Sequence, residues 1–169
     1  MPIVRNALLW MLVLVFAAGC SSIRREPPVA VPPGPPHPAD IVSQVALSML
    51  GAPYRYGGSS PRGFDCSGLV FFAHQQAGIP VPRTAAEQQR HSRPIPRDQL
   101  RPGDLLFFDT SWQPGHVGIY VGGGEFVHAP SSGKRVSRAS LRDGYFAKRL
   151  RYAGRIVDAE QILDEVQRL

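Results

Sequence analysis

Apolar and polar positions divide the chain into three stretches of different character. Arg5 precedes an unbroken apolar run from Ala7 to Ala18, which Gly19 and Cys20 close. A permanent bilayer-spanning helix needs roughly 20 apolar residues, more than this run supplies. A positive start, a short apolar segment and small residues before a break describe a secretory signal peptide over residues 1–19. Residues 20–39 then turn polar and proline-rich, with Pro27-Pro28, Pro32-Pro33 and Pro35-Pro36. Such a stretch takes extended polyproline geometry and serves as a tether. From residue 40 to 169 apolar residues recur first with helical and then with alternating period, the pattern of one folded domain.

Within that domain Asp40 is placed to cap a helix running to about Leu50, with Ile41, Val42, Val45, Ala46 and Met49 on one face and Gly51 as its stop. Residues 53–63 read as loop. Asp65 caps a second helix over 66–77, ended by Gly78. Thr84-Ala-Ala-Glu87 is the capping-box pattern of a short third helix. After Arg101-Pro-Gly-Asp104 the period changes to that of strands, expected over 105–108, 116–121, 125–129, 135–137 and 151–157. A last amphipathic helix is expected over 158–168. Helices first and adjacent strands later predict an α+β domain with a mostly antiparallel sheet.

Composition narrows the picture. With 169 residues, 43% hydrophobic and 19% charged, the chain can bury one core and wholesale disorder is excluded. Two cysteines rule out both a disulfide scaffold and a four-thiolate zinc site. The first of them sits in Ala17-Ala18-Gly19-Cys20, which resembles the bacterial lipobox, where a peptidase cuts before a cysteine that carries lipid. More than one acyl chain makes such anchoring stable. Ser21 follows the cysteine where aspartate would favour inner-membrane retention, so the resemblance points to the outer membrane. The net charge of +6 suits an acidic partner. Lys134, Arg135, Arg138, Arg142, Lys148, Arg149, Arg151 and Arg155 crowd one stretch against Asp143 alone. A carboxylate-rich polymer would be drawn there, a solvated basic face is the plain alternative, and secretion argues against nucleic acid.

The remaining cysteine carries the chemistry. Cys66 follows a capping aspartate, so its sulfur lies near the positive end of a helix dipole, where backbone N–H groups favour the thiolate. Gly68 leaves room at that helix end. A buried structural cysteine is the alternative, but with Cys20 lipidated in an oxidising compartment Cys66 is an unpaired thiol. A nucleophile needs a base and an orienting group. In the segment 116–128, Val117, Ile119 and Val121 share one face and belong in the core, while His116, Gly118 and Tyr120 share the other. A three-residue loop at Gly122-Gly123-Gly124 sets Gly118 opposite His128, and His128 diagonal to His116 with Cβ atoms within about 7–8 Å. A two-residue loop would turn His128 to the opposite face. One cysteine and two histidines are also zinc-ligand types, yet no short ligand spacing and no His-Glu-x-x-His is present, so neither metal nor cofactor is expected.

Several spaced motifs carry a resemblance: Tyr54-Arg-Tyr-Gly-Gly58, Gly63-Phe-Asp-Cys-Ser-Gly-Leu-Val70, Pro82-Arg-Thr84, Pro102-Gly-Asp-Leu-Leu-Phe-Phe108, His116-Val-Gly-Ile-Tyr-Val-Gly122 and Phe126-Val-His-Ala129. Over about 40–157 the chain resembles the NlpC family, papain-like bacterial cysteine peptidases that cut peptide stems of peptidoglycan. The resemblance implies a papain-like fold with Cys66 as nucleophile, His116 as base and His128 as the orienting residue. It further implies that the Tyr56 hydroxyl lies beside the thiol and that Asp65 and Ser67 line the substrate side of the cleft, although a helix cap alone would account for Asp65. The expectation is a lipid-anchored peptidoglycan endopeptidase on the inner leaflet of the outer membrane, facing the periplasm. The D-alanyl–diaminopimelate cross-link is the favoured bond. Cleavage between D-glutamate and diaminopimelate, or a catalytically silent wall-binding lipoprotein, are the alternatives.

Overall fold

The computed structural model describes residues 37–110, 113–131 and 133–156. The expected signal peptide, Cys20, most of the tether and the helix over 158–168 lie outside the described residues.

The first helix, α1, is Pro38–Ser48 and starts before the residue expected to cap it. His37 is the N-cap instead, its ring Nδ1 accepting from the Ala39 N–H at 3.2 Å. Pro38 then occupies the first helical position, where a fixed φ and a missing N–H cost nothing. Asp40 falls inside the first turn, where its charge still suits the dipole. The folded domain therefore begins within what composition alone assigns to the tether. Val42 and Ala46 are buried, and Gly51, at φ 84°, turns the chain back.

After two short antiparallel strands, β1 (Ser59–Ser60) and β2 (Gly63–Phe64), comes α2, Cys66–Gln76. Asp65 caps it, as expected, and Gly78 at φ 72° follows its end. The helix α3, Ala85–His91, has the expected capping box: the Thr84 hydroxyl oxygen accepts from the Glu87 N–H at 3.4 Å, and the hydroxyl donates to the Glu87 carboxylate at 2.5 Å.

Six antiparallel strands follow: β3 (Arg93–Pro94), β4 (Leu105–Thr110), β5 (Gln113–Gly122), β6 (Glu125–His128), β7 (Ser137–Ser140) and, after the one-turn α4 (Gly144–Ala147), β8 (Leu150–Arg155). Their order across the sheet is β3-β8-β4-β5-β6-β7. The strand expected over 135–137 is displaced. Arg135 bridges Pro53 in isolation, Val136 donates its N–H to Ala52 O at 2.8 Å, and the true strand starts at Ser137. A tie to a distant loop takes the backbone groups that a strand ladder would have used. β3 pairs two residues with the edge of β8, too short a run to show a period.

The sheet buries both faces. Leu105, Phe107, Val117, Ile119 and Val127 pack with Val42, Ala46, Leu69, Val70 and Ala73 of α1 and α2. Leu106, Phe108 and Phe126 pack on the other side with Leu141 and Phe146. This is why β4 reads as an unbroken apolar run. Asp104, 1% exposed, heads β4 and is gripped by Arg155 at 2.6 Å (Nε) and 2.8 Å (Nη2).

The β5–β6 turn corrects one expectation and keeps its consequence. Gly122 pairs with Glu125, so the loop has two residues, Gly123 and Gly124, at φ 62° and 81°. Two adjacent positive φ angles are what a tight primed turn demands. A bulge between Tyr120 and Gly122 then inserts the extra residue, and beyond it Tyr120 faces Phe126 and Ile119 faces Val127. His128 is thereby returned to the face of His116.

Candidate active site

Four segments meet at the start of α2. Asp65 caps the helix, accepting from the N–H of Gly68 at 2.6 Å and of Gly57 at 2.9 Å. Cys66 is the first helical residue and is 3% exposed. Its sulfur takes a hydrogen bond from the Val117 N–H. Pairing between β5 and β6 ends at Ile119–Val127, which leaves that N–H for the sulfur. The thiol is thus placed one residue along β5 from His116.

His116 and His128 come together as the strand periodicity requires, with His116 Nε2 2.8 Å from His128 Nδ1. Their rings meet nearly edge-on, with centroids 5.1 Å apart. Phe126 and Phe146 pack edge-on to His128 at 5.2 and 5.4 Å. Gly118, next to Val117 on β5, serves the packing of this pair. A Cβ there would lie 2.6 Å from Phe126 Cδ2, so the glycine lets the Phe126 ring lie across the strand.

Burial sets the protonation states. Loss of hydration pushes the Cys66 thiol up, the Asp65 charge adds to this, and the N–H groups of Val117, Ser67 and Cys66 itself oppose it without prevailing. His116 is lowered to about 3 by burial and then by His128, and His128 to about 4 by burial and then by the Lys134 charge. Burial thus favours the uncharged forms of the thiol and of both imidazoles in the free protein. The helix-end N–H groups favour the anion, as the sequence suggests, and dehydration opposes them.

Three further expectations shift. Tyr56 is 89% exposed. The tyrosine coupled to the thiol is Tyr54, packed against the core and raised first by burial and then by the charges of Cys66 and Asp65. The two tyrosines stand two apart in one motif, so sequence alone could not choose between them. Asp65 and Ser67 are almost wholly buried. Their side chains meet Arg83, whose Nη1 lies 2.9 Å from Asp65 Oδ1 and 3.0 Å from Ser67 Oγ. Gly68 makes room for protein, since a Cβ would overlap the Gly58 carbonyl oxygen. Arg83 and the fully buried Gln88 escaped the sequence argument, although both stand in or just after the quoted Pro82-Arg-Thr84 motif. No group of three or more metal-ligand side chains occurs among the described residues.

Comparison with known proteins gives a family and a fold. Residues 51–155 match the NlpC/P60 family. The chain is 44% identical over 117 residues to murein DD-endopeptidase MepH of Escherichia coli K12, covering 66% of this chain and 43% of that one. It thus spans less than half the length of that relative. To the probable endopeptidase NlpC of the same organism it is 38% identical over 155 residues, 86% of this chain and 96% of the other. A crystal structure of an NlpC/P60 family protein from Bacillus cereus superposes with a TM-score of 0.66 at 30% identity, over 75% of this chain and 42% of that one.

Proposed function

The chain belongs to the NlpC/P60 family, and on that premise we propose that it is a cysteine peptidase that hydrolyses peptide bonds of peptidoglycan, with Cys66 as nucleophile, His116 as base and His128 as the residue that orients it. The observation that carries the reading is the meeting at Val117: its N–H holds the Cys66 sulfur, and its neighbour His116 is locked to His128. For His116 to act as a base through Nδ1, its Nε2 must carry the proton and donate to Nδ1 of His128. That hydrogen bond fixes both tautomer and ring angle.

Because thiol and imidazole are both neutral at rest, the sulfur loses its proton to His116 as it adds to the stem-peptide carbonyl. His116 returns the proton to the leaving amine, an acyl thioester remains on Cys66, and water, deprotonated by the same imidazole, releases it. The N–H of Cys66 is a donor for the developing oxyanion, a type of contact worth about 3–4 kcal/mol when well aimed.

The favoured bond is the D-alanyl–diaminopimelate cross-link, which the name of the MepH relative supports. The lipobox-like Ala17–Cys20 segment supports acylation at Cys20 and attachment to the inner leaflet of the outer membrane. The test is incubation of the purified protein and its Cys66→Ala variant with sacculi, followed by mass analysis of the muropeptides. Conversion of cross-linked dimers to monomers by the wild type alone is expected. Stem peptides cut after D-glutamate would reassign the bond, and unchanged profiles would end the hydrolase reading. Palmitate labelling that survives Cys20→Ala would end the anchoring one.

A further inference from the structure

Arg83, on the segment leading into α3, reaches across to the first turn of α2. Its Nη1 lies 2.9 Å from Asp65 Oδ1 and 3.0 Å from Ser67 Oγ, and its Nη2 lies 2.8 Å from Asp65 Oδ2 and 3.2 Å from Gly58 O. Asp65 also accepts from Ser67 Oγ at 3.2 Å, besides the N–H groups of Gly57 and Gly68. Gln88 fastens α3 to the same turn, its Nε2 donating to Ser67 O at 3.0 Å and to Pro82 O at 2.8 Å. One guanidinium thus joins the loop before α2, its cap and its first turn.

That arrangement answers an electrostatic problem. The best cap for a helix is an anion, but here the capped residue's neighbour is the sulfur on which negative charge must develop. Asp65 directly precedes Cys66 and works against its ionisation. A carboxylate held in a fork by a guanidinium presents a dipole in place of a charge, and the field of a dipole falls off faster with distance.

We propose that Arg83 is a positioning residue for Cys66: it pairs in a fork with the carboxylate that caps the nucleophile's helix, so that the cap does not repel the charge that forms on the sulfur. The other ionisable groups around the sulfur are Tyr54 from the loop after α1, with Tyr56 beyond it, and, on the sheet, His116 beside Val117 with His128 and Lys134 behind. The proposal rests on Cys66 being the nucleophile, but its test reads the sulfur itself and needs no substrate.

The full chain and its Arg83→Met, Arg83→Lys, Asp65→Asn and Asp65→Asn/Arg83→Met variants are titrated by thiolate absorbance at 240 nm. Matched Cys66→Ala proteins subtract the tyrosinate signal. Arg83→Met should raise the thiol midpoint by about half to one pH unit, a roughly threefold to tenfold loss of thiolate at any pH below it. Asp65→Asn, which leaves the guanidinium unopposed, should lower the midpoint. The double variant, with neither charge, should return close to wild type, and Arg83→Lys should stay nearer to wild type than Arg83→Met. A purely structural role would shift Arg83→Met and the double variant alike, and that result overturns the proposal, as does an unmoved midpoint in Arg83→Met. Should Arg83→Met fail to fold, Asp65→Asn decides: an unchanged or raised midpoint overturns it. Midpoints that move as expected in a protein that leaves sacculi uncut would sink the hydrolase reading and leave this one standing.

Discussion

At the scale of single residues, the chemistry of the site is governed by dehydration. Cys66 is held by three backbone N–H groups, an arrangement that in water would give a reactive thiolate, yet burial keeps the proton on sulfur. His116, lowered to about 3, cannot take that proton permanently. The sulfur is therefore quiet until a substrate carbonyl shares its charge. The expected outcome is a thiolate absorbance in the free protein that rises with a midpoint above the ordinary cysteine value of 9.0. A signal already developed at pH 6 would mean a resting ion pair and contradict this account. The residue scale is also where sequence was least decisive. Tyr54 and Tyr56 carry the same group in the same motif, and only the turn of the chain before α2 sends one inward and the other into solvent.

At the scale of elements, the β5–β6 hairpin does most to build the site. Its register depends on a bulge that compensates a shortened turn, and its surface depends on Gly118. Replacing Gly118 with alanine drives a methyl group into Phe126, the ring that braces His128. Overpacking of this kind costs about 1–3 kcal/mol. The variant should lose that much in chemical denaturation and lose kcat more than KM, because the misplaced group is the orienting imidazole. The helix α2 carries a third buried histidine, of a different kind. His74 is 2% exposed, bonded to Val70 O at 2.9 Å and lowered to about 4 by burial. The unfolded chain binds a proton at His74 below about pH 6.5, whereas the folded one does not until about pH 4. Stability is thus complete above pH 6.5 and lost as pH falls between those values. For His74 the loss is about 3 kcal/mol. Thermal melts should show Tm falling over this window, and His74→Leu should flatten the fall.

At the scale of the whole molecule, charge and fold are largely separate. Of the basic stretch near the C-terminal strands, Arg138 pairs with Glu125 at 3.0 Å, Arg151 with Asp109 at 3.2 Å, and Arg155 is consumed by the buried Asp104. Arg149 stacks 3.9 Å over the Tyr145 ring. Lys134, Arg135, Arg142 and Lys148 pair with no carboxylate among the described residues. Those four are the cations that an acidic polymer would meet. Replacing Arg142 and Lys148 together with glutamine should weaken pelleting with sacculi at low salt, with the difference vanishing near 0.5 M salt and the melting temperature nearly unchanged. Screening reaches exposed charges over a few ångströms at such ionic strength and leaves the buried Asp104–Arg155 pair intact.

Local rules determined much of this protein. The caps Asp65 and Thr84, the stops Gly51 and Gly78 and the alternation from His116 to Val121 act over one turn or one strand, so their consequences were legible in the sequence. The helical stretches and the antiparallel sheet follow from them, whereas the shared face of the two histidines also needed the bulge between Tyr120 and Gly122. Tertiary structure decided what depends on contacts between distant segments. It moved the start of α1 back to Pro38, displaced β7 by tying Val136 to Ala52, chose Tyr54 over Tyr56, and drew Arg83 across to Asp65. It also set the charge on the sulfur, because hydration is lost only when α2 is pressed against β5. Periodicity reports which way a side chain points, whereas a proton's affinity depends on everything packed around the group that holds it.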